Sequence, residues 1–142
     1  MTLEDARHAI ATCAQRMNTK SGEVVFDEWA VVTLSSQGAK LAAYDGPRVE
    51  QFRQRFKADI RPLQAELEGR RLEVGDFGFA PFAAGTAYDA CVRIGPRAYL
   101  WWNNTDASMT DIRETGAWLP AQKAFMDLCE TFRRDPVAVE NS

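Results

Sequence analysis

The chain has 142 residues, of which 46% are hydrophobic and 26% charged, and this balance is typical of one soluble globular domain. Its 17 lysines and arginines stand against 20 aspartates and glutamates, and the net charge of −3 argues against nucleic acid as the main partner. The first residues carry no basic and apolar leader, and no run approaches the length of a membrane span, about 18 apolar residues. We therefore expect a cytoplasmic protein without a membrane partner.

One histidine and three cysteines limit the chemistry that the chain can perform. They are His8, Cys13, Cys91 and Cys129. A structural zinc site needs four Cys or His ligands, usually in close pairs, so we expect neither a metal nor a cofactor. A Ser-His-Asp or Cys-His unit would have to use His8, which we place in the first helix and away from every candidate pocket described below. Three cysteines far apart in the sequence indicate reduced thiols rather than a disulfide framework.

The first part of the chain predicts a helix followed by a β-hairpin. Thr2 and Asp5 form a capping-box pattern, and apolar residues then recur every three or four positions as far as Met17, which predicts a helix. Residues 23–34 are rich in Val, Phe, Trp and Thr. Apolar residues occupy both alternating sets of this run, so we expect a strand that is covered on both faces. A turn signal follows, and residues 39–45 supply the returning strand.

The middle of the chain predicts a long helix and three strands. An apolar stripe from Val49 to Leu67 predicts the clearest helix, with a kink or break near Pro62. Three strand-like runs follow at residues 72–82, 87–94 and 97–103. The short connections between these runs favour antiparallel neighbours. The second run alternates between an apolar face and a more polar one, which is typical of a half-exposed strand.

The last part of the chain predicts two helices. Ser108 begins a short helix with a second capping-box pattern. Pro120 suits the first turn of a final helix, which ends after two arginines that are well placed for the helix dipole. We expect residues 1–136 to form one domain and residues 137–142 to be a frayed tail.

The main elements follow the order α-β-β-α-β-β-β-α, which indicates an α+β fold: a five-stranded antiparallel sheet with helices covering it. Three features of this order are distinctive: the strand-turn-strand from Glu28 to Tyr44, the long helix, and the Phe-Gly-Phe-Ala-Pro-Phe segment at 77–82. Through these features, nearly the whole chain resembles the profilin-like layout of the roadblock/LC7 family. The resemblance implies a non-enzymatic homodimer that docks onto other proteins, often small GTPases or their regulators. It brings no catalytic residues.

A polar segment between the last strand and the next helix, Asn103–Asp106, is the candidate ligand site. Unpaired amides at a helix N-terminus can hold a carboxylate or phosphate. The residues that would line such a pocket are Asn103, Asn104, Thr105, Ser108 and, in an earlier turn, Thr86. The alternative is that these short polar side chains only form the turn and cap the helix. On the first interpretation the chain is a small-molecule-binding domain or a metal-independent enzyme.

The aromatic residues of the last strand are the candidate interface. Trp101 and Trp102 are adjacent, so they must point to opposite faces of the strand. One of them, with Tyr99 as a further interface residue, then faces a helix layer, solvent or a partner protein. The aromatic surplus and the lack of a catalytic set favour a homodimeric interaction module that binds another protein. Asp76 stands apart as a charged residue on the otherwise apolar face of a predicted strand.

Overall fold

The computed structural model describes residues 1–17, 26–36, 38–46, 50, 53–54, 65, 68–69, 72–79, 89–104 and 120–138. The helices whose bounds fall within these residues are α1 (Leu3–Met17) and α2 (Pro120–Arg134). The strands are β1 (Phe26–Ser35), β2 (Gly38–Asp45), β3 (Phe77–Phe79), β4 (Asp89–Gly95) and β5 (Ala98–Asn104). The bounds of α1 and α2 confirm the two helices expected at the ends of the domain.

The five strands form one antiparallel sheet in the order β2-β1-β5-β4-β3. The β1–β2 hairpin and the β3–β4–β5 meander are joined side by side through β1 and β5, where Trp29 lies opposite Trp102 and Val31 opposite Leu100. The connections from β1 to β2 and from β4 to β5 are short, as antiparallel neighbours allow. The expected α+β class and the five-stranded antiparallel sheet are confirmed.

Both helices pack on one face of the sheet and form the helix-side core. Its largest side chains include Trp102, Phe125, Phe132, Ile10 and Met17, all almost completely buried. The rings of Trp102 and Phe125 meet edge to face, with centroids 6.2 Å apart. At the start of α1, the amide of Asp5 donates to Oγ1 of Thr2 (3.0 Å) and the amide of Thr2 donates to the Asp5 carboxylate (3.2 Å). The predicted capping box is thus confirmed.

The opposite face of the sheet carries a second-face core. Its buried residues are Ala30, Val32, Leu34, Ala39, Cys91, Tyr99 and Trp101, with Leu41, Tyr44 and Leu72 packed against them. Trp29 and Val31 of the same strand lie in the helix-side core, so β1 is covered on both faces as expected. The expectation of a half-exposed β4 is wrong at Cys91, which is 0% exposed, because the second face of the sheet is also covered.

The strand expected at residues 72–82 is shorter than its apolar pattern indicates. Only Phe77–Phe79 pairs as a strand, and residues 80–82 lie outside the described residues. A turn at Val74 and Gly75 precedes β3, because Gly75 has a φ of +89° that an extended strand does not use. Asp76 follows that turn and is exposed, so it does not lie on an apolar strand face as predicted. Its carboxylate instead accepts from Arg133 of α2 (3.4 Å).

The two middle helices of the sequence prediction fall mostly or wholly outside the described residues. Within the long apolar stripe, six residues are described in helical conformation: Glu50, Arg53, Gln54, Ala65, Glu68 and Gly69. Pro62 and the short helix expected to begin at Ser108 lie outside the described residues.

The first two residues of the expected tail are held in the domain. Val137 is 0% exposed, and its amide donates to the carbonyl of Ile94 in β4 (2.8 Å). The amide of Ala138 donates to the carbonyl of Met1 (3.0 Å). The backbone of Val137 passes so close to Gly95 that a Cβ there would overlap its carbonyl oxygen. The expectation of a frayed tail is therefore wrong at its start, and residues 139–142 lie outside the described residues.

Candidate ligand site

A polar cavity of about 440 Å³ lies beside the turn that joins β4 to β5, on the second face of the sheet. Its described lining comes from β1, β4, β5, the β4–β5 turn and residues 68, 72 and 73. The residues are Leu34, Glu68, Leu72, Glu73, Arg93, Pro96, Arg97 and Tyr99. Pro96 and Arg97 form the tight turn between β4 and β5, and a register shift between Arg93 and Gly95 precedes it.

Arg93 is fixed by backbone carbonyl groups on two sides of the cavity. Its guanidinium donates to the carbonyls of Leu72 (2.7 Å), Pro96 (2.8 Å) and Gly95 (3.2 Å). Its Cζ also lies 6.0 Å from the centroid of the Tyr99 ring. Because each of its three nitrogens has an acceptor, Arg93 ties the segment before β3 to the β4–β5 turn and gives the cavity a rigid wall.

Arg97 uses only part of its guanidinium to hold the fold. Its Nε donates to the carbonyl of Leu34 (2.8 Å), and its carbonyl accepts from the Leu34 amide (2.6 Å). Within the described part of the chain, its two Nη atoms have no hydrogen-bond acceptor and no ion-pair partner. The Nε contact orients the group, so two Nη donors remain available at the edge of the cavity.

Tyr99 lines the cavity although only 4% of the residue is exposed. Burial raises the pKa of its phenol above the ordinary value, and the positive charge of Arg93 opposes that rise in part. The hydroxyl therefore stays protonated at neutral pH and can donate a hydrogen bond. Among the described residues, no protein group accepts from it or donates to it.

Two carboxylates, Glu68 and Glu73, complete the charged lining. Both side chains are exposed, and neither lies within ion-pairing distance of Arg93 or Arg97, for which no salt bridge is found in the described structure. The described lining thus contains two arginines and two glutamates without an ion pair between them, and Glu73 has no charged partner among the described residues. Such a lining offers hydrogen-bond donors to an anion and acceptors to a cation.

A second groove of about 310 Å³ lies between α1 and α2. Its described lining includes His8, which lies in α1 as predicted. Arg16 and Asp127 bridge the groove with an ion pair of 3.3 Å. The thiol of Cys13 donates to the carbonyl of Ala124 (3.4 Å), and burial raises its pKa to about 12. This thiol stays protonated at neutral pH and is a poor nucleophile.

The interface residues expected from the sequence are buried within a single chain. Trp101 and Trp102 do point to opposite faces, as predicted, since Trp101 lies in the second-face core and Trp102 in the helix-side core. Both are 0% exposed, however, and Tyr99 is buried as well, so none of the three forms an exposed aromatic surface. The reason is that both faces of the sheet are covered, which the alternation of one strand cannot reveal.

Asn103 and Asn104, the described part of the polar segment expected to bind a ligand, are remote from the observed cavity. Asn103 and Asn104 are the last residues of β5, where they lie opposite Glu28 and Phe26. The cavity is at the other end of this strand, and six residues of extended chain span about 20 Å. Thr105, Asp106, Ser108 and Thr86 lie outside the described residues. The structure therefore does not bring Asn103 or Asn104 to the cavity.

Sequence reasoning missed the charged residues that line the cavity. One feature of the sequence could have identified Arg93 as a structural residue: it shares a strand face with the buried Cys91 and precedes the Gly-Pro sequence by two residues. A cation in that position needs fixed acceptors if its strand is covered. The sequence around Glu73 and Arg97 contains no such indication, because these residues come together with Arg93 only where Leu72 and Glu73 pack beside the β4–β5 turn.

In the described residues, no group of three or more His, Cys, Asp or Glu side chains is placed to hold a metal ion. No described helix has the length and apolar character needed to cross a membrane. Comparisons of the chain with protein-family models, with curated proteins and with solved structures found no match.

Proposed function

We propose that this chain is a non-enzymatic interaction module of profilin-like, roadblock-like layout that acts as a homodimer. The hairpin followed by a three-stranded meander, with α1 and α2 together on one face, supports this layout. A small GTPase or its regulator is the class of further partner that the resemblance implies. The observation that supports self-association is that the outer edge of β2 has no paired strand in the described structure.

β2 is an eight-residue strand at one edge of the sheet. No strand of the described structure pairs with its outer side. The free amides and carbonyls of an edge strand are a template for another strand, and a second copy of the same chain supplies one. The opposite edge strand, β3, has only three residues and offers a much shorter template.

The side chains of β2 are self-complementary in one register. A bulge shifts the β1–β2 pairing at Ala42, so Leu41 and Tyr44 both pack against the second-face core. By alternation, Lys40 and Asp45 then lie on the helix side, where both are exposed. Two β2 strands that pair antiparallel about the point between Ala42 and Ala43 place Lys40 opposite Asp45 of the second copy and Leu41 opposite Tyr44. Opposed residues thus share a face and match in charge or apolar character.

The twofold axis repeats each of these pairs. A favourable cross-strand pair contributes roughly 0.2–1 kcal/mol, so the four side-chain pairs together add about 1–4 kcal/mol to the backbone hydrogen bonds of the new ladder. Like charges directly opposite one another are destabilising. Changing the sign of one member of the Lys40–Asp45 pair therefore removes two attractions and creates two repulsions in the same dimer.

Analytical ultracentrifugation over a concentration series tests this function. The chain should approach a mass of about twice 15.9 kDa as its concentration rises. Lys40→Asp and Asp45→Lys should each weaken the dimer, and the double variant should restore it. Lys123→Asp on α2 is the control, because it makes the same charge change at an exposed site away from β2.

Asp45→Lys also removes the hydrogen bond that the Gly46 amide donates to the Asp45 carboxylate (2.8 Å), so this single variant could weaken the dimer through a local change in structure. The double variant is decisive because it restores the charge pair but not this hydrogen bond. Circular dichroism establishes that each variant is folded. A monomer at every concentration refutes the proposed homodimer. A dimer that neither single variant weakens, or that the double variant fails to restore, refutes the β2 register.

A further inference from the structure

We infer that the cavity beside the β4–β5 turn binds a small zwitterion, an amino acid or short peptide with a free carboxylate and a free ammonium group. This site does not depend on self-association, since its described lining includes no residue of β2. Its volume of about 440 Å³ lies within the usual range of small-molecule pockets, about 300–1,000 Å³.

The carboxylate half of the site is built from Arg97 and Tyr99. The two Nη atoms of Arg97 form the planar fork that binds a carboxylate in a bidentate manner, and its Nε contact with Leu34 sets the direction of that fork. Tyr99 adds a hydroxyl donor from a residue that is 96% buried, given its 4% exposure, and that lines the cavity. A buried hydroxyl without a partner in the described protein gains most from a ligand that accepts its hydrogen bond.

Arg93 contributes charge and rigidity rather than free donors. Its nitrogens are already bound to three carbonyl oxygens, but none of these acceptors carries a formal charge. The guanidinium therefore retains its full positive charge beside the cavity and favours an anionic group there. Because these contacts hold the wall in place before a ligand arrives, binding requires little reorganisation.

The ammonium half of the site is formed by Glu73. Its carboxylate is exposed, and the described structure shows no partner for it. The two oxygens of this carboxylate offer acceptors to an ammonium group, which has three donors. Leu34, Leu72 and Pro96 provide apolar surface in the same cavity, where the side chains of a ligand can lie.

The balance of charge selects a zwitterion over a simple anion. Among the described residues of the lining, the Nη atoms of Arg97 and the carboxylate of Glu73 have no charged partner, so the site offers a cationic group and an anionic group to a ligand. A phosphate or a dicarboxylate would gain from the arginines but would also approach the Glu73 carboxylate, and like charges in a partly enclosed site are repelled. A ligand that carries both charges satisfies both groups of side chains.

Three related peptides test this site by isothermal titration calorimetry. The probes are the free dipeptide Leu-Leu, its N-acetyl form and its C-terminal amide, which carry both charges, only the carboxylate and only the ammonium. We expect Leu-Leu to bind, with each blocked form weaker by about tenfold or more. Equal binding of the N-acetyl form would make this an anion site, equal binding of the amide would make it an acidic site, and absence of binding by all three would also overturn the inference.

Variants of the lining assign each half of the site. Arg97→Gln should abolish the preference for Leu-Leu over its amide and retain the preference over the N-acetyl form. Glu73→Gln should do the reverse. Arg134→Gln, a change of the same kind on the exposed side of α2, is the control and should leave both preferences intact.

Arg97 also holds the end of β1 through its Nε, so a structural effect must be separated from a loss of binding. Tyr99→Phe keeps the buried ring and removes only the hydroxyl. We expect it to weaken Leu-Leu and the N-acetyl form but not the amide. If both Arg97→Gln and Tyr99→Phe are folded by circular dichroism and bind all three probes as the unaltered chain does, the carboxylate half is wrongly assigned.

Discussion

Gly75 and Gly38 both have positive φ values, +89° and +116°, but they differ in what surrounds them. A Cβ at Gly75 would lie 2.8 Å from the carbonyl oxygen of Cys129 and 3.0 Å from the Cβ of Arg133. A Cβ at Gly38 would meet nothing within 4 Å. Alanine at position 38 therefore tests the cost of backbone strain alone, whereas alanine at position 75 tests backbone strain together with a steric clash. The difference between the two losses in unfolding free energy measures the clash.

The expected losses follow from these distances. An L-residue in the left-handed region costs roughly 1–2 kcal/mol, which is the whole expected effect of Gly38→Ala. Gly75→Ala also forces α2 away from the turn, and inserting an atom into a packed site costs typically about 1–3 kcal/mol more. We therefore expect Gly75→Ala to lower the free energy of unfolding by about 2–5 kcal/mol.

Urea unfolding followed by tryptophan fluorescence measures both variants, with unchanged m-values as the sign that only stability has changed. Equal losses in the two variants, or a smaller loss for Gly75→Ala, would refute the close contact of α2 with the turn. The contact also bears on the cavity, since the Gly75 amide donates to the carbonyl of Arg93 (2.7 Å) while Arg133 donates to the carbonyl of Gly75 (3.1 Å).

The anchored tail and the capping box yield two more predictions. Gly95→Ala should displace Val137 and cost about 2–4 kcal/mol, from one exposed valine and one broken backbone hydrogen bond, but little in a chain truncated after Pro136. Equal losses in both backgrounds by urea unfolding would contradict this. Hydrogen bonds from Thr2 hold the pKa of Asp5 below its ordinary value, so its carboxylate stabilises the folded state above the unfolded pKa, and this stabilisation is lost as the pH falls through the folded pKa. The difference in unfolding free energy between the chain and Asp5→Asn should shrink on acidification, and a difference that does not change with pH would argue against the capping role.

The helices at the two ends of the domain were predictable because their signals are local. The capping box at Thr2 and the proline at position 120 each act within one helical turn. The apolar stripes that follow them have the period of a helix, whatever surface they later pack against. The structure confirms both helices and the returning strand of the hairpin for this reason.

The length of β3 and the state of the tail depend on residues far away in the sequence. The apolar run at 72–82 is compatible with a strand, but Gly75 turns where the backbone of α2 passes close to it. Val137 is held because a glycine in β4 leaves room for its backbone. Neither contact can be recognised from the pattern of ten or fifteen neighbouring residues. The local pattern therefore predicted a strand that begins too early and a tail that is frayed from its first residue.

The candidate site shows the same division. Alternation placed Trp101 and Trp102 on opposite faces, but it could not show that both faces are covered. The polar segment from Asn103 was conspicuous in the sequence, whereas Glu73 and Arg97 looked like ordinary surface charges. They line one cavity only because Leu72 and Glu73 pack beside the β4–β5 turn, where Arg93 donates hydrogen bonds to the carbonyls of both Leu72 and Pro96.

The sequence by itself determined the class of fold, the bounds of the terminal helices and the two-sided covering of β1, because capping, period and alternation are properties of neighbouring residues. Only the tertiary structure decided where the tryptophans lie, how the tail is anchored and which charges meet. Those outcomes depend on contacts between segments that are far apart in the sequence and close together in the fold. The pattern of residues within one segment does not show which other segment will lie against it.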